Sequence, residues 1–152
     1  MIELLPEDAT IYGLPLAFLL GAAVGAEREW RHKPGGLRTC ALVALASAAV
    51  ADLMLAQVTP ANLGAGYGAV MTGVGFLGAG MIMRDGTTVR GLSTAATMWC
   101  VAAIGLLAGA AETVGALILA AMVLAVNILL RPVTDFVRRR RPEPRPDNPH
   151  ED

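Results

Sequence analysis

Aromatic side chains make up only 5% of this 152-residue chain and charged ones only 16%. Soluble domains clothe themselves with about a quarter charged residues, so a water-exposed globular surface fits poorly. Histidine is nearly absent: His32 lies in a polar loop and His150 in the tail, and neither belongs to a Ser/His/Asp or Cys/His constellation. Enzymatic chemistry is therefore not expected. Cysteine is also scarce, with Cys40 and Cys100 far apart inside apolar stretches. This excludes a disulfide framework and a CxxC metal motif, and no metal or other cofactor is expected. The first residues are acidic (Glu3, Glu7, Asp8), and no persuasive cleavage site follows the first apolar run, so no cleavable signal is expected.

What the chain has instead is 55% hydrophobic content, a mean hydropathy of +0.55 and 17 glycines spread through apolar segments. Gly weakens a soluble helix, whereas Gly and Ala let helices approach closely in lipid. The reading is an all-α, polytopic membrane protein. A bilayer core takes about 20 apolar residues per helix. About five transmembrane helices are expected, over residues Ile11 to Ala26, Thr39 to Val58, Gly64 to Met83, Leu92 to Ala110 and Val114 to Leu130.

Basic residues set the orientation, because Lys and Arg of short loops stay in the cytoplasm. Arg28, Arg31, Lys33 and Arg38 follow the first span, Arg84 and Arg90 the third, and Arg131 with Arg138 to Arg141 and Arg145 the fifth. The links after the second and fourth spans hold no Lys or Arg. This alternation puts the N-terminus outside and the C-terminus in the cytoplasm, and a four-span or six-span count would break it. Two regions result: a transmembrane domain over residues 1–131 and a basic, Pro-rich cytoplasmic tail over residues 132–152, expected to be disordered beyond Arg141. Beside a membrane, the RRRR run reads as a topology anchor that attracts anionic lipid, not as a nucleic-acid site.

Glycine motifs that suggest nucleotides fail on context. Gly73, Gly75 and Gly78 spell GxGxxG inside an apolar span with no preceding strand, and the GxxxxG of Gly86 to Gly91 is followed by Leu92 where a phosphate loop needs Lys. Helix packing explains them better. Gly21 with Gly25, Gly64 with Gly68, and Gly105 with Gly109 form GxxxG pairs, and Ala65, Ala69 and Gly73 continue a four-residue row. Gly73, Gly75, Gly78 and Gly80 also make the third span bendable. Such rows serve packing within one chain or in a homo-oligomer.

The informative polar groups sit at the expected cytoplasmic edge. Glu27, Arg28, Arg38, Thr39, Arg84, Asp85, Arg90, Ser93 and Thr94 are read as one shallow layer in which carboxylates oppose arginines of separate hairpins. Residues 83–91 then form a hairpin tying the third span to the fourth, with Ser93 or Thr94 as the helix N-cap. Deeper lie Asp52, Cys100 and Asn127, candidate intramembrane polar residues. Asp52 is placed towards the outer face, within reach of outer water.

Three blocks carry a resemblance: GAAVGAEREWRHKPGGLRTCALV from Gly21 to Val43, GVGFLGAGMIMRDGTTVRGLSTAATMWCVAAIG from Gly73 to Gly105, and NILLR from Asn127 to Arg131. In order, spacing and charge the chain resembles the MgtC/SapB family of bacterial inner-membrane proteins. The family's GAER falls on Gly25 to Arg28, its GLRT on Gly36 to Thr39, and its MRxGxxVRGLxTAAT on Met83 to Thr97. Cys100 matches a cysteine that follows the tryptophan in the founding member. The resemblance implies a five-span membrane protein linked to growth at low magnesium and, in pathogens, to survival in macrophages. It also implies a regulator that restrains a membrane partner, the ATP synthase or another membrane protein. Ser93 stands where the founding member has Asn, and founding-type members continue into a soluble domain where this chain has a short tail. The competing expectations are a transporter or channel for Mg²⁺ or another small solute, and a purely structural assembly subunit.

Overall fold

A computed structural model of the chain describes residues 6–57, 59–86 and 88–139. Among these residues five helices are present: α1 (Pro6–Trp30), α2 (Leu37–Gln57), α3 (Pro60–Met81), α4 (Leu92–Gly109) and α5 (Thr113–Arg139). Pro6 and Pro60 stand at first helical positions, where the missing N–H has no intrahelical partner to lose. Two strands of three residues each, β1 (Met83–Asp85) and β2 (Thr88–Arg90), pair antiparallel between α3 and α4. The expected hairpin is therefore a short β-ribbon, a small β element in an otherwise all-α multi-pass membrane protein.

Among the described residues four helices are long and apolar enough to cross a membrane: Thr10–Trp30, Leu37–Gln57, Leu92–Gly109 and Thr113–Leu130. The third expected span is the exception. At 22 residues α3 is long enough, about 33 Å at 1.5 Å per residue, but its glycines dilute its hydropathy. Its neighbours fix its course. It starts three residues after the end of α2 and returns to the start of α4, so it runs the length of the bundle.

The core is built of small side chains. Ala17, Ala44, Ala48, Ala108, Ala116 and Ala120 are buried together with Val24, Cys40, Met98, Val101, Ile104 and Val123. Large side chains, such as Phe18, Leu42, Phe76 and Leu129, lie on the outside. This inversion suits lipid, which is as apolar as leucine and gives helices no hydrophobic reason to hide it. Close backbone contact supplies the attraction instead, and α4 meets all four other helices.

Gly105 and Gly109 lie directly against the backbone carbonyls of Ala44 and Ala48 on α2. From the opposite side Gly21 faces Ala44, where an added Cβ would come within 2.7 Å of the Ala44 Cβ, and Gly25 faces Leu37 in the same way. These four expected packing glycines thus form the α1–α2–α4 seam, and Gly78 meets Ala95 of α4. Gly73, Gly75 and Gly80 do not pack within the chain, and the space around them is open. The cluster is thereby divided, because α3 turns Val74 and Gly78 inward and leaves Gly73, Gly75 and Gly80 exposed.

Two boundaries also differ from expectation. The fourth helix has Gly91 as its N-cap, at φ 90, with no side-chain cap from Ser93 or Thr94. The hairpin has to turn into the helix in a left-handed conformation directly against the Met81 carbonyl, which leaves no space for a Cβ. The fifth helix does not stop at Leu130 but runs to Arg139. Leu130, Val133, Phe136 and Val137 recur at helical spacing past the expected membrane edge. The disorder expected beyond Arg141 concerns positions outside the described residues.

Candidate functional site

The end of α1, the loop 31–36 and the first turns of α4 meet around one side chain. Arg28 is only 4% exposed. A buried guanidinium is tolerated only when its donors are satisfied, and here four bonds converge on it. Its Nε donates to the Gly35 carbonyl at 2.9 Å and one Nη to the Pro34 carbonyl at 2.5 Å. Across the bundle it reaches Thr94 Oγ1 at 2.9 Å and Thr97 Oγ1 at 3.1 Å. Thr97 Oγ1 donates onward to the Ser93 carbonyl at 2.8 Å.

Local sequence explains why these acceptors point inward. The loop leaves α1 through His32 at φ 52, with Lys33 N donating back to the Arg28 carbonyl at 3.0 Å, and turns again at Gly35, φ 71. That double turn aims two successive carbonyls at the helix it has just left. Cys40 Sγ also donates to the Gly35 carbonyl, at 3.2 Å. Thr94 and Thr97, three positions apart on α4, share the helix face that meets Arg28.

A second cluster joins α1 to α5. Glu27 accepts from Arg31 Nε at 2.5 Å and from Asn127 Nδ2 at 3.3 Å. Glu29 binds the first turn of α2, accepting from the Leu37 backbone N–H at 3.2 Å. At the opposite end of the bundle Asp52 accepts from Thr10 Oγ1 at 2.7 Å. This exposed bond ties the half-buried Asp52 to α1, where the carboxylate stays within reach of water.

The anticipated layer is thus divided. The structure brings Arg28 together with Thr94 and Glu27 together with Asn127, whereas Arg38 and Arg90 are exposed and Thr39 is half-buried apart from them. Arg84 folds onto its own turn, Nε donating to the Gly86 carbonyl at 3.0 Å, and the Asp85 side chain lies outside the described residues. Ser93 is exposed and takes part through its carbonyl. Cys100 is a half-buried free thiol. The acceptors around Arg28 are carbonyls and hydroxyls; the ion pair recorded among the described residues, Glu27 with Arg31, lies within α1, and the expected pairing of Asp85 with arginines of the first loop lies outside the described residues.

Sequence reading missed Thr97, Glu29, Arg31, Thr10 and the Pro34–Gly35 carbonyls. Only Thr97 carried a legible signal, its three-residue spacing from Thr94. Among the described residues, no three His, Cys, Asp or Glu side chains converge to cage a metal.

The sequence model of the MgtC family matches residues 14–136. Protein MgtC of Salmonella typhimurium strain 14028s is 50% identical over 121 residues, covering 80% of this chain and 52% of the relative. Protein MgtC of Salmonella typhi matches to the same extent. Protein MgtC of Brucella abortus strain 2308 is 44% identical over 131 residues, 82% of this chain and 54% of the relative. The chain therefore spans about half the length of the curated relatives it matches. No solved structure matches it.

Proposed function

We propose, from the premise that this chain belongs to the MgtC family, that it is a non-enzymatic regulator in the bacterial inner membrane. In this reading it acts during magnesium limitation by binding a membrane partner such as the ATP synthase. The observation that carries the reading is the state of its intramembrane polar groups. Arg28 is held by four acceptors, Glu27 by Arg31 and Asn127, and Asp52 by Thr10. Between these clusters the buried layer is Ala17, Ala44, Ala48, Val101 and Ala108, closely packed. Polar groups already bonded to one another serve as clamps, and a hydrated Mg²⁺, which keeps several waters, would have to force this layer apart.

Orientation follows from the same contacts. Arg28 bound to Thr94 puts the basic loop 31–38 and the basic hairpin 83–90 at one end of the bundle. That end is cytoplasmic in this reading, with the N-terminus outside. The open face of α3 that carries Gly64, Gly68 and Gly75, four and seven residues apart, is where a helix of the partner or of a second copy would approach.

The test is crosslinking and pull-down from magnesium-starved cells with the tagged chain as bait. Wild type is expected to capture a membrane complex and to restore low-magnesium growth, and an inserted Arg28→Ala chain to do neither. Saturable Mg²⁺ flux in liposomes that Asp52→Asn abolishes would overturn the reading in favour of a transporter.

A further inference from the structure

We infer that the β1–β2 hairpin is an interfacial anchor that takes up anionic phospholipid headgroups. This goes beyond the proposed regulatory role and requires only that the bundle crosses a membrane. The hairpin spans the gap between the end of α3 at Met81 and the start of α4 at Leu92, so it stands where two membrane-depth helices leave the hydrocarbon. All three residues of β2 are exposed. Met83 is 70% and Val89 48% exposed, and Ile82 and Leu92 at the hairpin's base are exposed as well.

Apolar and basic side chains are opposed across the ribbon. Met83 stands opposite Arg90 and Arg84 opposite Val89, so each of these rungs carries one apolar and one cationic side chain. Adjacent rungs face opposite sides, and therefore both faces combine the two chemistries. Neither face is a dry apolar patch suited to a protein core. A headgroup region offers both surroundings within a few ångströms, acyl carbon for Met83 and Val89 and phosphate for the guanidinium groups, which reach it on flexible stems. Two guanidinium groups stand against the hairpin's one carboxylate, Asp85, so a net positive charge remains, and Arg84 uses only Nε on Gly86.

Two further features fit the same level. Trp30, two positions beyond the clamped Arg28, is 88% exposed at this end of the bundle, and indole rings concentrate at the membrane–water boundary. Gly91, pressed against the Met81 carbonyl, fixes the hairpin's base so that the ribbon projects from a rigid mount.

The experiment places an environment-sensitive fluorophore on the exposed position 88, through Thr88→Cys in a Cys100→Ser background. The full chain is compared in nanodiscs of phosphatidylcholine alone and of phosphatidylcholine mixed with phosphatidylglycerol. Blue-shifted emission that is quenched by lipid-borne quencher is expected in the anionic discs and is expected to recede as salt is raised. In Arg84→Ala/Arg90→Ala the ratio of immersed to exposed label should fall roughly 30-fold, at about 1 kcal/mol per basic residue near an anionic surface. Arg84→Lys/Arg90→Lys should retain it. Emission typical of water in both discs would leave the ribbon to a protein partner and overturn the inference. Emission insensitive to salt would overturn it too, even if the alanine variant failed to fold.

Discussion

Arg28 and Thr94, 66 positions apart in the chain, meet at 2.9 Å through Nη2 and Oγ1 inside the bundle. One side chain thereby joins the end of the first helix, the loop that follows it and the start of the fourth helix. Neutral acceptors surround a cationic group here, so its stability rests on hydrogen bonds to charge, each worth about 1.5–3 kcal/mol, and not on an ion pair.

Thr94→Val removes one acceptor while keeping the shape. We expect a loss of about 1–3 kcal/mol, the cost of leaving a buried donor without its partner. Thr94→Ser should retain most of the stability. Thermal unfolding in detergent compares the two; equal midpoints for Val and Ser would show that the bond contributes nothing.

Among the glycines, the structure separates two classes with the same sequence appearance. Gly105→Ala and Gly109→Ala should each destabilise by about 1–3 kcal/mol, because the new methyl meets the carbonyls of Ala44 and Ala48. Gly73→Ala and Gly75→Ala enter open space and should each stabilise the detergent-solubilised monomer by about 0.5–1 kcal/mol, through the higher helix propensity of Ala. A uniform response across all four would contradict the packing described.

The α1–α5 tether is testable by a double-mutant cycle on Glu27→Gln and Asn127→Ala. Hydrogen bonds between membrane helices couple by about 0.6 kcal/mol on average. We expect a coupling of that order, read from unfolding in mixed micelles, with Glu27→Gln the costlier single change because it also loses Arg31. Zero coupling would mean that the 3.3 Å contact is not formed.

Orientation is checked by labelling. Asn62 stands in the first turn of α3 and Thr88 beyond its far end, so Asn62→Cys and Thr88→Cys should react from opposite sides of inverted and right-side-out vesicles. Reaction of both from one compartment would mean that α3 does not cross.

The departures from the sequence reading have a common origin. Proximity to the same membrane edge fixes the depth of a side chain and nothing about which neighbour it touches. Around Arg28 the deciding information is lateral and backbone-based: where the Pro34 and Gly35 carbonyls point once His32 and Gly35 take positive φ. No side-chain pattern encodes a carbonyl's direction. Asp52 was likewise placed by depth alone, and its bond to Thr10 depends on α1 lying alongside α2.

By itself the amino-acid sequence determined that this chain inhabits lipid, where its helices run and which family its charged blocks resemble, because hydropathy and spacing are properties of local stretches. Only tertiary structure decided which glycines touch a neighbour, that Gly64, Gly68 and Gly75 of α3 stay open, and that Arg28 closes on hydroxyls and carbonyls. Those outcomes depend on how each helix is rotated about its axis, and that rotation is set by the packing of all five helices together.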